Sequence, residues 1–566
     1  MSLIIMIEIT HRWGLAKRGK WNIKDKEIVV PNIFFLDGVS FDSPNEAEVT
    51  ISTESNPSLK IPPSFFKETE TNNEYDFPYT FAYPEGLSDG LIEERGGKQK
   101  IQILFDQEPN LEAELYVLGN APQLLQRSGK LYDKIIELRK KIDYHKLIYT
   151  PGIAQPNNMA LLSYLGVDLF DSSFSEMMSA EGVELFDWIG FPGNVENNPR
   201  HLLDELELIR KSIIKGRIRE LVENRVKSEP WMVEILRRAD KDYGLFSKGT
   251  PVTGDDFSVT TRESLTRPDI ERFKDRIKGR YNPPDRDVLL LFPCSARKPY
   301  FQSRSHKRFR EATQQVNWTD IHEVSLTSPL GAVPRELELF YPAQQYDIPV
   351  THKWFEEEKK MILDQLRHVV EKGDYNHMIS HLPPDLSFVG EEIECVDTAK
   401  DSHPTSSQAI DRLTETLKEH VGEKRGKNQK FLLENLESFA RFQFGEGSEK
   451  LLEASNIKGK YPWYKIMGEE AQRGMLVPER GLISLTLEGA EVLKKMGINL
   501  VEIDDFDPKG SVFAVGVRDA DEDIRPEDEA IVVHEGELKG VGPAVMFGEE
   551  MNEANRGEAI RLRHYA

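Results

Sequence analysis

The side chains best suited to covalent chemistry lie in one stretch of this sequence, from Pro293 to His306. The stretch directly follows the apolar run 288–292, which predicts a buried strand. It carries a thiol, an amine, a phenol, a hydroxyl and an imidazole, in Cys294, Lys298, Tyr300, Ser303 and His306. In open α/β sheets, ligand sites form at the carboxyl ends of strands. We therefore expect a catalytic site in this loop.

Cys294 is the strongest candidate nucleophile of the loop. A thiolate attacks a nitrile or an acyl carbon readily, and the cations of Arg297 and Lys298 would lower the thiol pKa. The alternative is a small buried residue that ends a strand. His306 is a candidate general base, although a single histidine in a loop is usually not one. Lys298 fits a nucleophile, a phosphate anchor or a surface lysine.

The same region is a basic island in an acidic chain. The formal net charge of −23 argues against indiscriminate binding of nucleic acid, because repulsion opposes the approach of phosphates. Residues 293–310 contain no acid, but they contain Arg297, Lys298, Arg304, Lys307, Arg308 and Arg310. This patch predicts a specific anionic ligand, with Arg297, Arg304, Lys307, Arg308 and Arg310 as its binding residues. The alternative is a solvated loop that pairs with acids elsewhere.

A second segment, 328–338, is a candidate wall of the same site. Gly331 and two prolines would make a rigid turn there at the end of another strand. Ser328 and Gly331 are the predicted binding residues, and Glu336 and Glu338 follow them. A structural turn explains the segment equally well.

The sequence lacks the usual motifs of metal sites and nucleotide-binding sites. It has two cysteines, Cys294 and Cys395, no Cys-x-x-Cys, and no helical histidine pair beside a carboxylate. It also lacks a Walker loop and a Gly-x-Gly-x-x-Gly motif. We expect neither a metal nor a cofactor. No apolar run is long enough to span a bilayer, and Met1–Ile9 is expected to be the first strand of a cytoplasmic protein without contact with a membrane.

The length of 566 residues requires several domains. Residues 1–250 alternate short strands with helices, and a polar connector rich in proline and glycine follows. Residues 286–400 form a second α/β unit that contains the reactive loop, and residues 405–498 form a small mixed domain. Residues 499–566 are rich in strands and turns, which predicts a small β-barrel.

The loop sequence then permits a comparison with a known family. Pro293, Cys294, Lys298, Pro299, Tyr300, Ser303 and His306 form the pattern PCxxxKPYxxSxxH. This pattern resembles the signature of the archaeosine synthases, which are archaeal paralogues of tRNA-guanine transglycosylase. The segments 149–153 and 166–172 are similar to parts of the transglycosylase barrel. Residues 509–517, 524–529 and 540–544 are similar to a PUA domain, a small RNA-binding barrel.

The resemblance implies a multidomain α/β and α+β fold. A degenerate TIM-barrel-like transglycosylase domain (1–250) would precede the α/β catalytic core (286–400). The mixed α/β domain (405–498) and a C-terminal PUA β-barrel (499–566) would follow. Transglycosylase relatives also imply a homodimer.

The implied reaction modifies tRNA whose D-loop carries 7-cyano-7-deazaguanine (preQ0). An amine donor adds to the nitrile and gives an amidine-type product. Free lysine is the favoured donor, with later cleavage by a radical-SAM partner enzyme, and glutamine or ammonia is the alternative. ATP is not required, because the nitrile carbon is already electrophilic. Cys294, Lys298, Tyr300, Ser303 and His306 would be the catalytic residues.

The sequence departs from a working transglycosylase at several points. No Ser-Gly-Gly-Phe-Gln loop precedes residue 150, and the zinc-loop region near 191–195 has no cysteine. Asp171 occupies the place of the nucleophilic aspartate and is interpreted as vestigial. The usual Arg-Pro-Gly-Asp turn of the PUA domain contains Glu527. Two alternatives stay open: a base-exchanging transglycosylase and a non-catalytic tRNA-binding protein.

Overall fold

The computed structural model describes residues 7–23, 26–37, 41, 43–52, 101–400, 402–423 and 429–566. The chain forms two compact units. The first comprises Met1–Thr250, Phe513–Val517 and Met546–Ala559, and the second comprises Pro251–Val512, Arg518–Val545 and Ile560–Ala566. Among the described helices, none combines the length and the apolar composition needed to cross a bilayer.

The first unit alternates short strands with helices, as the sequence predicts. Its strands are β1 (Ile7–Trp13), β2 (Ala16–Ile23), β3 (Lys26–Val30), β4 (Asn32–Asp37), β5 (Val49–Ser52), β6 (Ile101–Leu104), β7 (Leu115–Leu118), β8 (Leu147–Tyr149), β9 (Leu169–Asp171), β10 (Val183–Leu185) and β11 (Gly190–Pro192). Its helices are α1 (Ala121–Leu125), α2 (Ser128–Lys141), α3 (Met159–Tyr164), α4 (Ser173–Ala180), α5 (Asn198–Ile214), α6 (Ile218–Arg225), α7 (Pro230–Lys241) and α8 (Tyr243–Lys248). The sequence predicts helix over 131–141 and over 200–238; α2 confirms the first, and the structure divides the second among α5, α6 and α7.

The main sheet of this unit is parallel and open. Its strand order is β5-β4-β9-β8-β7-β6, and strands such as β7 and β8 are buried along their whole length. Such continuous apolar strands are typical of parallel sheets that are covered on both faces. Within the described residues, β5 and β6 are edge strands and the sheet does not close. The TIM-barrel-like fold expected for 1–250 is therefore not confirmed.

The second unit contains the reactive loop. Its strands are β12 (Phe257–Ser258), β13 (Val288–Pro293), β14 (Ile321–Thr327), β15 (Gly331–Pro334), β16 (Tyr346–Asp347), β17 (His377–Ser380), β18 (Val396–Asp397), β19 (Asn456–Lys460), β20 (Trp463–Met467), β21 (Gln472–Val477), β22 (Leu482–Leu485), β23 (Leu500–Ile503), β24 (Ser511–Phe513), β25 (Val517–Ala520), β26 (Glu529–His534), β27 (Glu537–Pro543), β28 (Glu558–Arg561) and β29 (His564–Tyr565). The ends of β24, β25 and β28 fall in the first unit.

The helices in the same part of the chain are α9 (Pro268–Gly279), α10 (Arg304–Thr313), α11 (Glu356–Lys372), α12 (Phe388–Glu392), α13 (Ser407–His420), α14 (Gln429–Phe444), α15 (Leu487–Lys494) and α16 (Gly548–Glu553). Helix α16 belongs to the first unit. The sequence predicts a helix over 354–372, and α11 confirms it from residue 356 onward.

A five-stranded sheet of order β15-β14-β13-β17-β18 holds the reactive loop at its centre. Strand β13 pairs in parallel with β14 on one side and with β17 on the other. Residues 288–292 are buried because both faces of this central strand are covered. The strand predicted for 288–292 is confirmed. Its carboxyl end therefore delivers Cys294 to the middle of the sheet edge.

The C-terminal region is rich in strands, as predicted. Strands β19 to β22 form an antiparallel meander, and β25-β23-β26-β27-β29 form a five-stranded sheet. The sequence predicts one strand over 510–517, but the structure interrupts it. Strand β24 ends at Phe513, a 3-10 turn covers Ala514–Gly516, and β25 then begins. The chain turns here instead of continuing as one strand.

A buried carboxylate joins this C-terminal sheet to the strand meander. Glu529 accepts hydrogen bonds from the Arg563 guanidinium at 2.8 and 2.9 Å, from Arg480 at 2.8 Å and from the Leu485 amide at 3.0 Å. Burial alone would raise the pKa of Glu529, but Arg563 and Arg480 hold it below its ordinary value.

We predict that Glu529→Gln weakens this junction by about 3–5 kcal/mol at pH 7, because it leaves buried guanidinium charge without its partner. A carboxylate whose pKa is lowered by folding contributes its full stabilisation of the folded state above its unfolded pKa of about 4.3. This stabilisation is lost as the pH falls through the folded pKa. Hydrogen-exchange protection of the β26 amides should therefore differ between wild type and variant at pH 7, and the difference should shrink below about pH 4. The exposed Glu537→Gln is the control. Equal protection of wild type and Glu529→Gln at pH 7 would contradict the prediction.

Candidate active site

Cys294 occupies the first position after β13. Its amide donates to the Leu326 carbonyl at 3.1 Å, which extends the β13–β14 pairing by one step. Its free thiol is half-buried, and the side chains of Thr327 and Lys298 act on it. The ends of two parallel strands and the loop that follows β13 thus surround the sulfur, and the group of Cys294, Lys298, Thr327 and Tyr346 is called the thiol pocket below.

The thiol and the amine influence each other's protonation. Burial raises the pKa of Cys294, while hydrogen bonding by Thr327 and the positive charge of Lys298 oppose that rise. Burial also lowers the pKa of Lys298, and the charges of Cys294 and Asp347 oppose that fall. Each group is shifted towards its neutral form, because both leave water for a partly apolar site. The pair therefore has the composition of a nucleophile with an adjacent proton acceptor.

A chain of hydroxyl groups forms the floor of this pocket. The Tyr300 and Tyr346 hydroxyls are 2.7 Å apart, and the Tyr346 hydroxyl lies 2.6 Å from Thr327 Oγ1. Thr327 Oγ1 in turn donates to the Ser328 carbonyl. Lys298 Nζ lies 3.9 Å from the centre of the Tyr346 ring, a cation–π contact. These contacts fix the lysine and orient the hydroxyls next to the thiol.

Ser303 and His306 stabilise the conformation of the loop. Ser303 caps helix α10, since its Oγ accepts from the His306 amide at 3.2 Å. The His306 ring is buried. Its Nε2 lies 3.0 Å from the Pro293 carbonyl oxygen, and its Nδ1 lies 2.8 Å from the Arg335 guanidinium. It also stacks on Tyr300, with ring centres 5.4 Å apart.

The two contacts assign the tautomer of His306. Nε2 donates to the carbonyl and Nδ1 accepts from the guanidinium, so the ring is neutral. Burial lowers the pKa of His306 well below its ordinary value, and Arg335 adds to that effect. Neither ring nitrogen is open to a substrate in this arrangement. The sequence places His306 in the loop, but the contacts direct it away from the thiol.

The predicted phosphate-binding residues do not share one surface. Arg304 and Lys307 are exposed on α10, and the half-buried Arg308 donates to Ser407 Oγ at 3.0 Å. Arg297 is exposed and contacts Gln302. Arg310 lies on another face of α10 and lines an internal cavity instead. Helical rotation of about 100° per residue places Arg310 about 120° from Arg304 and about 160° from Arg308, but only about 60° from Lys307.

In the segment 328–338, Ser328 is a candidate binding residue and Gly331 is a packing residue. Ser328 is buried, and its Oγ has no hydrogen-bond partner among the described residues. Gly331 has a φ of +80°, and a Cβ there would lie 2.6 Å from Gln365 Cγ on α11. A glycine is required at this position by the backbone conformation and by the close helix. Gly331 therefore shapes the turn from inside the core.

Glu336 and Glu338 are buried beneath the loop. Glu338 accepts from the Phe301 amide at 2.9 Å, from Arg335 at 2.8 Å and from the Tyr461 hydroxyl at 2.8 Å. Glu336 accepts from the Tyr281 hydroxyl and lies 3.6 Å from His322 Nε2. Both carboxylates support the site through other residues and do not reach the thiol pocket.

Sequence reasoning did not assign a role to Thr327, Tyr346 or Asp347. Thr327 ends β14 beside the end of β13, so the rule that located Cys294 could also have located Thr327. Tyr346 and Asp347 form the short strand β16, which pairs with β12. Their proximity to Lys298 arises only in the folded chain.

The first unit places Asp171 in a closed environment. Its carboxylate accepts from the Tyr149 hydroxyl at 2.5 Å, the Gly152 amide at 3.0 Å and the Ser173 amide at 2.8 Å. The residue is fully buried, and burial raises its pKa. The described residues also contain no group of three histidine, cysteine or carboxylate side chains that could hold a metal ion.

This chain is similar to two family models and to known archaeal proteins. A family model described as a domain of unknown function (DUF5591) matches residues 270–417, which include the thiol pocket, and a PUA domain model matches residues 507–566. The PUA domain and the relatives described next define an RNA-binding protein of the tRNA-modification class. The archaeosine synthase of Haloferax volcanii is 32% identical to this chain, and the alignment covers 98% of each of the two chains. The archaeosine synthase subunit alpha of Methanosarcina acetivorans is 34% identical over 80% of each chain.

The chain belongs to the archaeosine synthase family. A more distant relative is the tRNA-guanine(15) transglycosylase of Methanobrevibacter smithii, which is 26% identical over 81% of this chain and 73% of its own length. The resemblance found in the loop and in the C-terminal segments is thus confirmed at the level of the family and of the PUA domain.

The thiol–amine pair predicts a distinctive reactivity. In a Cys395→Ser background, the rate of alkylation of Cys294 by iodoacetamide should increase with pH. The midpoint of this increase should lie above about pH 8.5, the ordinary pKa of a thiol, because burial disfavours the thiolate. Lys298→Met should move the midpoint still higher, since it removes a cation that favours the thiolate. The exposed Arg297→Met is the matched control and should leave it unchanged. A midpoint at or below 8.5, or one that Lys298→Met does not move, would contradict this account of the site.

Proposed function

We propose that this chain acts in archaeosine biosynthesis by adding a free amine to the nitrile of 7-cyano-7-deazaguanine in the D-loop of tRNA. Lysine is the favoured donor, and glutamine or ammonia is the alternative. The product is an amidine. The observation that supports this proposal best is the Cys294–Lys298 pair at the carboxyl end of the central strand, in a chain of the archaeosine synthase family.

The first proposed step forms a thioimide. The Cys294 sulfur bonds to the nitrile carbon, the carbon–nitrogen triple bond becomes a double bond, and the thiol proton moves to the nitrile nitrogen. Lys298, whose pKa is lowered by burial, can accept the thiol proton and return it. The hydroxyls of Tyr300, Tyr346 and Thr327 donate along their chain to the Ser328 carbonyl, so one of them must turn from its present acceptor to donate to the nitrogen on which charge develops.

The second proposed step releases the enzyme. The donor amine bonds to the thioimide carbon, the carbon–sulfur bond breaks, and one amine proton returns to the thiolate. The sum is the addition of an amine N–H across a nitrile, so neither an oxidant nor ATP is needed. Ser303 and His306 take part by holding the loop, through the helix cap and the Pro293 contact.

Arg297, Arg304, Lys307 and Arg308 are the proposed phosphate contacts on the second unit, together with the PUA domain. We further propose a second protein for the cleavage of the amidine adduct, in line with a radical-SAM enzyme. The Methanosarcina acetivorans relative is named a subunit alpha, which supports a partner of this kind. A homodimer is proposed by analogy with the transglycosylases.

Base exchange and tRNA binding without catalysis are the alternative functions. Base exchange needs a carboxylate that can reach a ribose, whereas Asp171 is buried and satisfied by hydrogen bonds. A protein that only binds tRNA needs no buried thiol beside an amine. Release of labelled guanine from unmodified tRNA would support exchange.

The covalent step predicts a specific loss in Cys294→Ala. Wild-type protein, nitrile-bearing tRNA and lysine should give a nucleoside heavier by the mass of lysine, and the variant should form it at least about 100-fold more slowly because the nucleophile is missing. Nucleoside mass spectrometry measures the product, and trapping of a protein–tRNA adduct measures the intermediate. Cys395→Ala, which removes the other thiol, is the control.

Adduct formation at the wild-type rate in Cys294→Ala would exclude the thioimide. His306→Gln separates the two roles considered for the imidazole. If the ring only positions the loop, the variant should slow the reaction without changing its pH dependence. If the ring transfers a proton, one limb of the pH profile should disappear.

The basic face of α10 predicts the salt dependence of tRNA binding. Arg304→Gln and Lys307→Gln should each weaken binding of all tRNAs alike and reduce the slope of log K against log salt by about 1, because each removes one phosphate contact. Filter binding across a salt series measures the slope. Arg367→Gln, an exposed arginine on α11, should keep the wild-type slope. An unchanged slope in the two α10 variants would place the tRNA elsewhere.

A further inference from the structure

A two-stranded ribbon in the second unit presents a basic face to solvent. Strands β19 and β20 pair in antiparallel register, with Lys458 opposite Lys465 and Lys460 opposite Trp463. Residues that lie opposite each other point to the same face of a sheet, and so do residues two positions apart on one strand. The four side chains therefore share one face, and all four residues are exposed. The other face of β20 is buried, as the alternating burial along this strand shows.

The lysines of this face lack counter-ions in the part of the chain that the structure describes. Lys458, Lys460 and Lys465 form neither an ion pair nor a side-chain hydrogen bond there. Residues 454–468 contain no acid, although the whole chain has a formal net charge of −23. Like charges that lie directly opposite each other destabilise an antiparallel pair of strands. An acidic protein thus keeps an unfavourable pair of lysines on an exposed ribbon, which favours an anionic ligand for this face.

Trp463 narrows the class of that ligand. It is 56% exposed beside Lys460, although burial of an aromatic ring of this size is strongly favourable. An exposed aromatic ring among cations is a platform on which an unpaired nucleobase stacks while its phosphates contact the cations. The bases of a duplex are already stacked on one another, and an acidic protein surface has no nucleobase for the ring. The face therefore fits a single strand of RNA.

The turn of the same ribbon contacts the reactive loop. Tyr461 in this turn donates through its hydroxyl to Glu338 at 2.8 Å, and its ring meets the Phe301 ring edge-on, with ring centres 5.0 Å apart. Phe301 belongs to the loop 293–306, and its amide donates to the same Glu338. An RNA strand on the ribbon consequently lies at the edge of the loop that carries the thiol.

We propose that the exposed face of the β19–β20 ribbon binds an unpaired segment of tRNA next to the nucleotide that is modified. One nucleobase stacks on Trp463, and Lys458, Lys460 and Lys465 contact the phosphates around it. The two residue pairs of the face are about 7 Å apart along the ribbon, so successive phosphates of an extended strand can reach successive pairs. The inference rests on tRNA as the proposed substrate, but not on the chemistry proposed for Cys294.

Binding of a short RNA to the full chain tests the inference. The probes are a labelled oligonucleotide with a tRNA D-loop sequence and a duplex of equal length, and fluorescence anisotropy measures both dissociation constants. Trp463→Ala should weaken binding of the single strand about tenfold, because one stacked base is lost, and should leave the duplex unchanged. Trp463→Phe keeps an aromatic ring and should retain most of the affinity, which separates loss of stacking from loss of folding.

The lysines should respond in a different measurement. Lys458→Gln, Lys460→Gln and Lys465→Gln should each reduce the slope of log K against log salt by about 0.7, the value for one phosphate of a single strand. Trp463→Ala should keep the wild-type slope, because stacking releases no counter-ion.

Two exposed residues elsewhere provide matched controls. Trp188, which is 63% exposed in the hairpin of β10 and β11, is replaced in Trp188→Ala, and the exposed Lys360 of α11 is replaced in Lys360→Gln. Both variants should bind the single strand as the wild type does. Wild-type affinity in Trp463→Ala, or equal weakening of single strand and duplex, would overturn the inference. Unchanged slopes in the lysine variants would also overturn it and would leave an acidic protein as the partner of this face.

The same variants distinguish this inference from the proposed function. Binding of the single strand that depends on Trp463, without adduct formation on nitrile-bearing tRNA, would keep the surface and remove the proposed reaction. Adduct formation with an unchanged KM for tRNA in Trp463→Ala would keep the reaction and remove the surface. Cys294→Ala should bind the oligonucleotide with wild-type affinity, since the thiol is not part of the ribbon.

Discussion

The half-buried guanidinium of Arg335 makes the interaction on which the candidate site depends. It contacts Glu323, Glu338 and the neutral His306 at the same time. Through these partners it fixes the Phe301 amide and the Pro293 carbonyl, which flank the reactive part of the loop. A buried ion cluster contributes little net stability compared with an apolar core, but loss of one member leaves the others uncompensated. The cluster is therefore better explained by the geometry that it imposes on the loop.

That geometry allows a nucleophile to be kept in its neutral form. Burial shifts Cys294 and Lys298 towards the thiol and the amine, and each opposes part of the shift of the other. Charge develops on the nitrile nitrogen when the sulfur attacks, and the adjacent hydroxyls of Tyr346 and Thr327 are already oriented by their mutual contact.

The sequence was sufficient to locate the loop but not its internal arrangement. The apolar run 288–292 predicted a strand, which is the central strand of its sheet, and Cys294 directly follows its carboxyl end, where the charge of Lys298 acts on the thiol. The six basic residues were treated as one patch, because the sequence did not show where the helix that follows the loop begins. Partners distant in sequence, such as Arg335 for His306, have no local signal. The closed barrel expected for 1–250 came from resemblance, and the described sheet remains open.

Helix α10 separates two electrostatic environments. Its outer face presents Arg304 and Lys307 to solvent, where a phosphate backbone is attracted. Its inner face presents His306 to the Arg335 guanidinium and Arg310 to a cavity that Glu323, Glu336 and Glu338 also line. Arg304 and Arg310 lie six positions apart, about 120° around the helix axis, so one rigid helix presents them to different surroundings. The order of residues in 304–310 therefore encodes both surfaces.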